Sequence, residues 1–320
     1  MDLLKLAEEI IEGRRLRKGE DLDFLKTCDL ASLCEGADRI RAHFVGARVD
    51  LCAIINGRSG RCPEDCKYCA QSSHNHTKCD VYGFLPLENL LEACRCSERE
   101  GVDRFSIVTA GRALTGAEFD QAIQAFQAMR AECDIHLCAS FGFLTAGQLH
   151  RLHEAGVTTY HHNIETSRRH FPKICTTHTY EQKLATLKLV KAEGMLVCSG
   201  GILGMGEDFD DRIDMALDLA EVGVDSIPLN VLIPIPGTPL ELMPPLSEDE
   251  ILRTVAIVRC INPQANGRLA AGRARLTHDG EKAFQSGASA TITGNMLTTA
   301  ACATIRSDKE MIRQMGRETK

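Results

Sequence analysis

Apolar and polar residues along this chain alternate between two periods. Short apolar runs at Val49 to Ile55, Arg104 to Ala110, Ile135 to Ser140, Val157 to His162, Leu196 to Gly200, Ser226 to Leu232, Gly267 to Ala271 and Ala290 to Thr293 read as strands. Between them the period lengthens to that of an amphipathic helix, at Leu87 to Glu100, Gly116 to Ala131, Thr145 to Ala155, Tyr180 to Glu193, Phe209 to Glu221 and Ser247 to Ile261. Ser247 followed by Glu250 is a capping box, and Gly101, Gly156, Gly194 and Gly223 stand where helices should stop. Repeated βα units imply a parallel sheet, and eight of them imply closure. The expected class is α/β, a (β/α)8 TIM-type barrel over residues 45–320, preceded by an N-terminal helical extension at 1–44.

Barrel strands normally read as unbroken Val, Ile and Leu, because branched side chains fill the interior. Here nearly every strand carries a polar or sulfur-bearing residue. In chain order these are Cys52, Ser106, Cys138, then Asn163 and Glu165 at the end of the fourth strand. Cys198, Asn230, Arg268 and finally Thr291 with Thr293 follow. A single buried Cys or Ser is usually packing. Their joint occurrence predicts an interior lined for chemistry.

Composition narrows the partners. At 320 residues and 44% hydrophobic, the chain can bury a large core, and its net charge of −7 leaves no basic stripe for nucleic acid. No apolar run reaches the roughly 18 residues of a membrane helix. The start, MDLLKLAEEIIEGRRLRKGEDLD, is a charged amphipathic helix and not a signal peptide, so a cytoplasmic chain with a small substrate is expected. Fifteen cysteines, an odd number, point to a reducing compartment and metal ligation. Cys28, Cys94, Cys96, Cys133, Cys175, Cys260 and Cys302 fall in patterns where cysteine serves as a small hydrophobe.

Residues 62–69 read CPEDCKYC and follow the first strand and the turn Asn56-Gly57-Arg58-Ser59-Gly60. Cys62, Cys66 and Cys69 can grip one metal centre, and since a 4Fe-4S cluster ordinarily takes four cysteines, three leave one iron open to a small molecule. A zinc knuckle completed by His74 or His76 is the competing reading. The spacing, Tyr68 before the last cysteine, and the preceding strand resemble the radical S-adenosylmethionine superfamily. In that superfamily the amine and carboxylate of S-adenosylmethionine chelate the open iron.

With CPEDCKYC, TTYHHNIETS, CTTHTYEQK, VCSGGILGMGE, SIPLN and GRLAAGR in this order, the chain from about Arg48 onward resembles the biotin synthases. The resemblance implies a homodimeric barrel that binds a 4Fe-4S cluster and S-adenosylmethionine at its top. It also implies a flavodoxin- or ferredoxin-type electron donor, and a deeper auxiliary iron-sulfur cluster whose sulfide closes the ring of dethiobiotin to give biotin. By the same resemblance Tyr68 contacts the adenine region, Asn163 and Glu165 the ribose, Lys183 the cofactor carboxylate, and Gly200 and Gly201 admit the cofactor to the backbone. Asn163 and Asn230 would hold the ureido ring, and Arg268 stands with Asn163 and Glu165 in the reacting centre. Glu165 occupies a position where the family usually has Asp.

The family's auxiliary 2Fe-2S cluster uses three barrel cysteines and an arginine. Cys138, Cys198 and Arg268 match, but the remaining position is Ser106, while Cys52 stands where the family usually has serine. This reads as a ligand relocated to the neighbouring strand, compatible with a four-iron cluster carrying an extra sulfide on Cys52, Cys138 and Cys198. Cys34 is a further candidate ligand. Two alternatives remain: a radical S-adenosylmethionine barrel of the hydrogenase-maturase or methylornithine-synthase type, and a cluster carrier that catalyses nothing.

Overall fold

The computed structural model describes residues 2–294 and 304–320, and Cys302 lies outside the described residues. Its sheet is parallel and closed. The strands are β1 (Asp50–Arg58), β2 (Arg104–Thr109), β3 (His136–Ser140), β4 (Val157–His161), β5 (Leu196–Cys198), β6 (Gly201–Leu203), β7 (Ser226–Val231), β8 (Asn266–Leu269) and β9 (Ala290–Ile292). They run in the order β5-β4-β3-β2-β1-β9-β8-β7-β6, and β5 also pairs with β7. β5 and β6 are therefore two halves of one stave, and the barrel has the eight staves expected from the periodicity.

The break in that stave has a local cause. Gly200 lies opposite Pro228 of β7, and a proline offers the ladder no N–H. A Cβ on Gly200 would come 2.0 Å from the Pro228 carbonyl oxygen, so only glycine lets the strands pass this close. The Gly200 backbone groups face the other neighbour, the fourth stave, as Cys198 does. The Gly200 N–H donates to Asn163 Oδ1 at 2.9 Å, and the Gly200 carbonyl accepts from Glu165 N at 3.0 Å.

The interstrand helices begin as sequence chemistry dictates. Capping boxes at Thr145/Gln148, Thr179/Gln182, Asp208/Asp211 and Ser247/Glu250 satisfy the first N–H groups of four of them. Gly101, Gly156, Gly194 and Gly223 all have positive φ at the helix ends. Ahead of β1 the helices Leu3–Ile11 and Leu30–Phe44 pack together, and the second lies along Glu248–Ile261.

Three expectations need correction. Thr291 and Thr293 do not line the interior: Ile292 faces the cavity, and the Thr291 hydroxyl accepts from Arg273 on the outer side. The C-terminal stretch Ser307 to Lys320 is not a free charged helix. Its helix, Ile305–Gln314, buries Ile312 and the Asp308 carboxylate, which receives Arg273 at 2.5 Å, and Arg317 beyond it reaches Asp38 at 2.7 Å. Cys34 sits on the outer helix Leu30–Phe44 with Cys28, Arg253 and Ser286 for neighbours, so it is no ligand in the barrel.

Candidate active site

Alternation along the strands points Cys52, Ser106, Cys138, Cys198 and Arg268 into one central cavity of about 810 Å3, with Asn163 and Asn230 toward the C-terminal mouth of the strands. In register Ser106 stands between Ile54 of β1 and Cys138 of β3. Cys52 is one inward position lower on β1, opposite Arg104. Cys138, Cys198, Arg268 and Asp50 are the charged and sulfur neighbours of Cys52. The proposed trio thus lines one cavity from three different strands, though its sulfurs are not gathered within 4.8 Å of one another as those of Cys66 and Cys175 are.

Burial raises the thiol pKa of all three cysteines, and that of Cys198 to about 11, against the pull of Arg268 toward the thiolate. Without a counter-charge such thiols stay protonated. Asp50, which the motif reading passed over, sets the lower charge. Burial acts to raise its pKa, but Arg268 and Arg104 outweigh that and hold the carboxyl below its usual range. Arg268 Nη2 lies 2.5 Å and Arg104 Nε 2.9 Å from the Asp50 carboxylate. Arg268 also donates to the Thr291 carbonyl at 3.0 Å, and Arg104 to Thr159 Oγ1 at 3.2 Å. His161 Nδ1 is 3.4 Å from Cys198 Sγ, and burial followed by Lys183 and Arg268 lowers its pKa to about 4. Asp50, Arg104 and His161 lie at strand ends and inward positions, a signal recoverable only by counting every second residue.

Above this layer the cysteine loop meets the segment Cys175 to His178. Asp65 accepts from the backbone N–H groups of Thr176 at 2.8 Å and Thr177 at 3.2 Å, and Cys175 Sγ lies 3.1 Å from it. Glu64 pairs with the buried His178 ring, with Thr177 Oγ1 at 2.6 Å and with Arg112 at 3.1 Å. The two acids between Cys62 and Cys66 thus clamp the loop to the turn that starts the helix Tyr180–Ala192. Cys175 is more than packing, contrary to expectation. Its sulfur lies 3.8 Å from Cys66 Sγ, and with His178 these form a group whose ligand atoms all lie within 4.8 Å of one another. The His74 ring bonds the Pro63 carbonyl at 3.0 Å and does not join them.

The loop brings Tyr68 to Glu165, and burial, followed by that carboxylate, raises the phenol pKa. Glu165 takes the left-handed backbone region at φ 74°, which a long side chain such as glutamate seldom adopts. One carboxylate oxygen stands 3.8 Å from Lys183 Nζ, and the other, Oε2, is buried with no hydrogen-bond partner. Close-packed backbone requires glycine at both Gly200 and Gly201. A Cβ on Gly201 would strike the Glu165 carbonyl oxygen at 2.3 Å, so neighbouring backbone occupies that space. Asn230 donates to the Gly201 carbonyl at 3.1 Å and accepts from Ala271 N at 3.2 Å, which leaves part of its amide for a guest.

Comparison with known proteins decides the family. The Radical SAM superfamily matches residues 58–231, and the Biotin and Thiamin Synthesis associated domain matches residues 228–318. The chain is 55% identical over 316 residues to a biotin synthase of Alkaliphilus metalliredigens (strain QYMF), covering 99% of both chains. This chain belongs to the biotin synthase family. A biotin synthase of Clostridium beijerinckii is 56% identical over 312 residues, covering 98% of both. Among solved structures, methylornithine synthase superimposes with a TM-score of 0.84 at 19% identity, covering 98% of this chain and 97% of that one. The FeFe-hydrogenase maturase of Carboxydothermus hydrogenoformans gives 0.81 at 15%, covering 98% and 78%. At those identities the likeness shows the shared barrel alone, and the family assignment rests on the biotin synthases. As a member of that family the chain is a radical S-adenosylmethionine enzyme of sulfur insertion, and the family implies a 4Fe-4S cluster with S-adenosylmethionine. Among the described residues no helix is long and apolar enough to cross a membrane.

Proposed function

We propose that this chain inserts sulfur into dethiobiotin, with the upper site binding S-adenosylmethionine and the lower thiol layer holding the sulfur. The observation that carries this reading is the Glu165 carboxylate. A buried acceptor without a donor costs about 1–3 kcal/mol, so Oε2 awaits a hydroxyl-bearing guest, and the ribose of the cofactor supplies the paired hydroxyls it suits. Cys62, Cys66 and Cys69 would hold the 4Fe-4S cluster beside it. Lys183 lies close enough to Glu165 to meet a carboxylate there, and Tyr68 closes the adenine side. Together the cluster and S-adenosylmethionine supply one-electron reduction and hydrogen-atom removal from unactivated carbon. Asn163 and Asn230 orient the ureido ring at the upper end of the cavity.

Cys52, Cys138 and Cys198 form the auxiliary site, with Ser106 replacing a family ligand and Arg268 standing beside the thiolates. Arg268 is pinned by Asp50 and Thr291, so it serves as a fixed positive charge that favours thiolate sulfur. The reading includes a homodimer working in the cytoplasm, a flavodoxin- or ferredoxin-type donor, and the division of the chain at residue 45. Anaerobic incubation of reduced enzyme with S-adenosylmethionine and dethiobiotin tests it. Release of 5'-deoxyadenosine with biotin is expected, and 5'-deoxyadenosine without a sulfur-containing product would refute the substrate.

A further inference from the structure

The central cavity has a second mouth. Its lining continues past Arg104 and Arg268 to Leu196, Asp225, Gln264 and Asn266 at the N-terminal ends of the strands, opposite the end where Asn163 lies. A TIM barrel is ordinarily packed shut by side-chain layers at that end, and its chemistry sits at the other. Here Gly223, Val224, Gln264 and Ala265 also line a neighbouring surface cavity of about 520 Å3, so the interior and that vestibule share a wall. Leu196 is 41% exposed and Gln264 is exposed, which places both at the rim.

Charge along the passage runs against that of the whole chain. The vestibule carries Arg15, Arg17 and Lys18, Lys191 lies at the rim, and Arg104 and Arg268 wait within. Opposing them, Asp218 and Glu221 pair with Lys18, Asp225 accepts from Val197 N at 2.8 Å, and Asp50 lies between the two inner arginines. Six cations thus face four carboxylates along the route, in a chain whose net charge is −7. A passage lined this way favours a small anion.

We propose that hydrosulfide enters the sulfur-holding layer through this lower mouth, reaching Cys52, Cys138 and Cys198 without crossing the site where S-adenosylmethionine and dethiobiotin bind. The proposal rests on the function proposed above. With cofactor and substrate in place, the upper mouth is filled and the lower one is the way left open. Exchange along it needs no electrons: one hydrosulfide enters, one leaves, and each carries its own proton.

The test uses holoenzyme with S-adenosylmethionine and dethiobiotin bound but no reductant, soaked anaerobically in 35S-labelled sodium sulfide and then desalted. Two quantities are read: labelled acid-labile sulfide on the chain, and, after reductant is added, the label carried into product. The rim variant Leu196→Trp/Gln264→Trp should lose label in product at least ten-fold, with product yield and iron content as in the parent enzyme. If that variant is compromised in folding, Arg17→Glu/Lys191→Glu provides the second measure. It should slow labelling about three-fold at low salt and not at high salt. Equal label in product from rim variant and parent, or unlabelled product from the parent, overturns the passage. Absence of any sulfur-containing product from the parent sinks the proposed function instead.

Discussion

Replacing Asp50 with alanine should destabilise the barrel through the arginines it leaves behind. Arg268 is 4% exposed at its side chain and Arg104 18%, and Asp50 is the carboxylate within salt-bridge reach of both among the described residues. Removing one partner of a fully buried pair costs about 3–5 kcal/mol, because the survivor keeps a charge with no counter-charge. Arg104 is 18% and Asp50 17% exposed at the side chain, so solvent screening brings the cost just below that range, to about 2–3 kcal/mol. Asparagine, which keeps an acceptor oxygen, should cost about half as much. Anaerobic urea unfolding of metal-free protein, followed by circular dichroism, measures the shift at unchanged slope. Arg268→Met in the Asp50→Ala background should restore part of the loss, since it removes the stranded charge. If Asp50→Ala costs less than about 0.5 kcal/mol, or Arg268→Met worsens it, then water already neutralises the inner arginines and they cannot act as a fixed positive field on the thiolates.

The remaining expectations concern sulfur, cofactor and acid. Cys52→Ala should remove the auxiliary iron and sulfide while 5'-deoxyadenosine formation persists, and unchanged iron and sulfide counts per chain would refute ligand relocation. Glu165→Ala should weaken S-adenosylmethionine binding about ten-fold or more by equilibrium dialysis, as expected for losing about 1.4 kcal/mol of hydrogen bonding. Equal affinity would mean that the unpartnered oxygen faces nothing. Asp211 bridges Ser167 and Arg169 beneath the Glu165 loop, and although burial opposes ionisation, these bonds lower its pKa to about 2. A depressed carboxyl stabilises the fold above its unfolded pKa near 4 and loses that contribution as pH falls through about 2, an effect of about 2 kcal/mol. Asp211→Asn should therefore flatten the acid limb of stability between those values, and an unaltered limb in a pH series of urea midpoints would contradict this.

The barrel was legible because its strands and helices repeat at two distinct periods and glycine marks helix ends. Gly101, Gly156, Gly194 and Gly223 fall where the periodicity put them. What escaped was of two kinds. The outer position of Thr291 was lost because three residues of β9 give too short a run to fix which face turns inward. The clamp of Glu64 and Asp65 on residues 175–178 was lost because it joins groups more than a hundred positions apart, with no periodic signal. Cys175 looked like a small hydrophobe by its neighbours in sequence. Its partners, Cys66, Asp65 and His178, come from the fold.

Gly200 and Gly201 show how one local feature serves both layers of the site. Pro228 lacks an N–H where the stave breaks between β5 and β6, and across the break the fourth and fifth staves stay linked through Asn163 and Glu165. That crossing holds Glu165 at its positive φ with both Glu165 N and O engaged, the oxygen receiving Ile202 N at 2.9 Å. Strain of about 1–3 kcal/mol persists only where surrounding bonds over-determine it. A side chain at Gly201 would push on the Glu165 carbonyl and let that backbone relax, so Gly201→Ala should weaken S-adenosylmethionine binding while leaving Cys198, on the other side of the break, able to retain its iron. Loss of auxiliary iron with unchanged cofactor affinity would show that the break serves the lower layer alone.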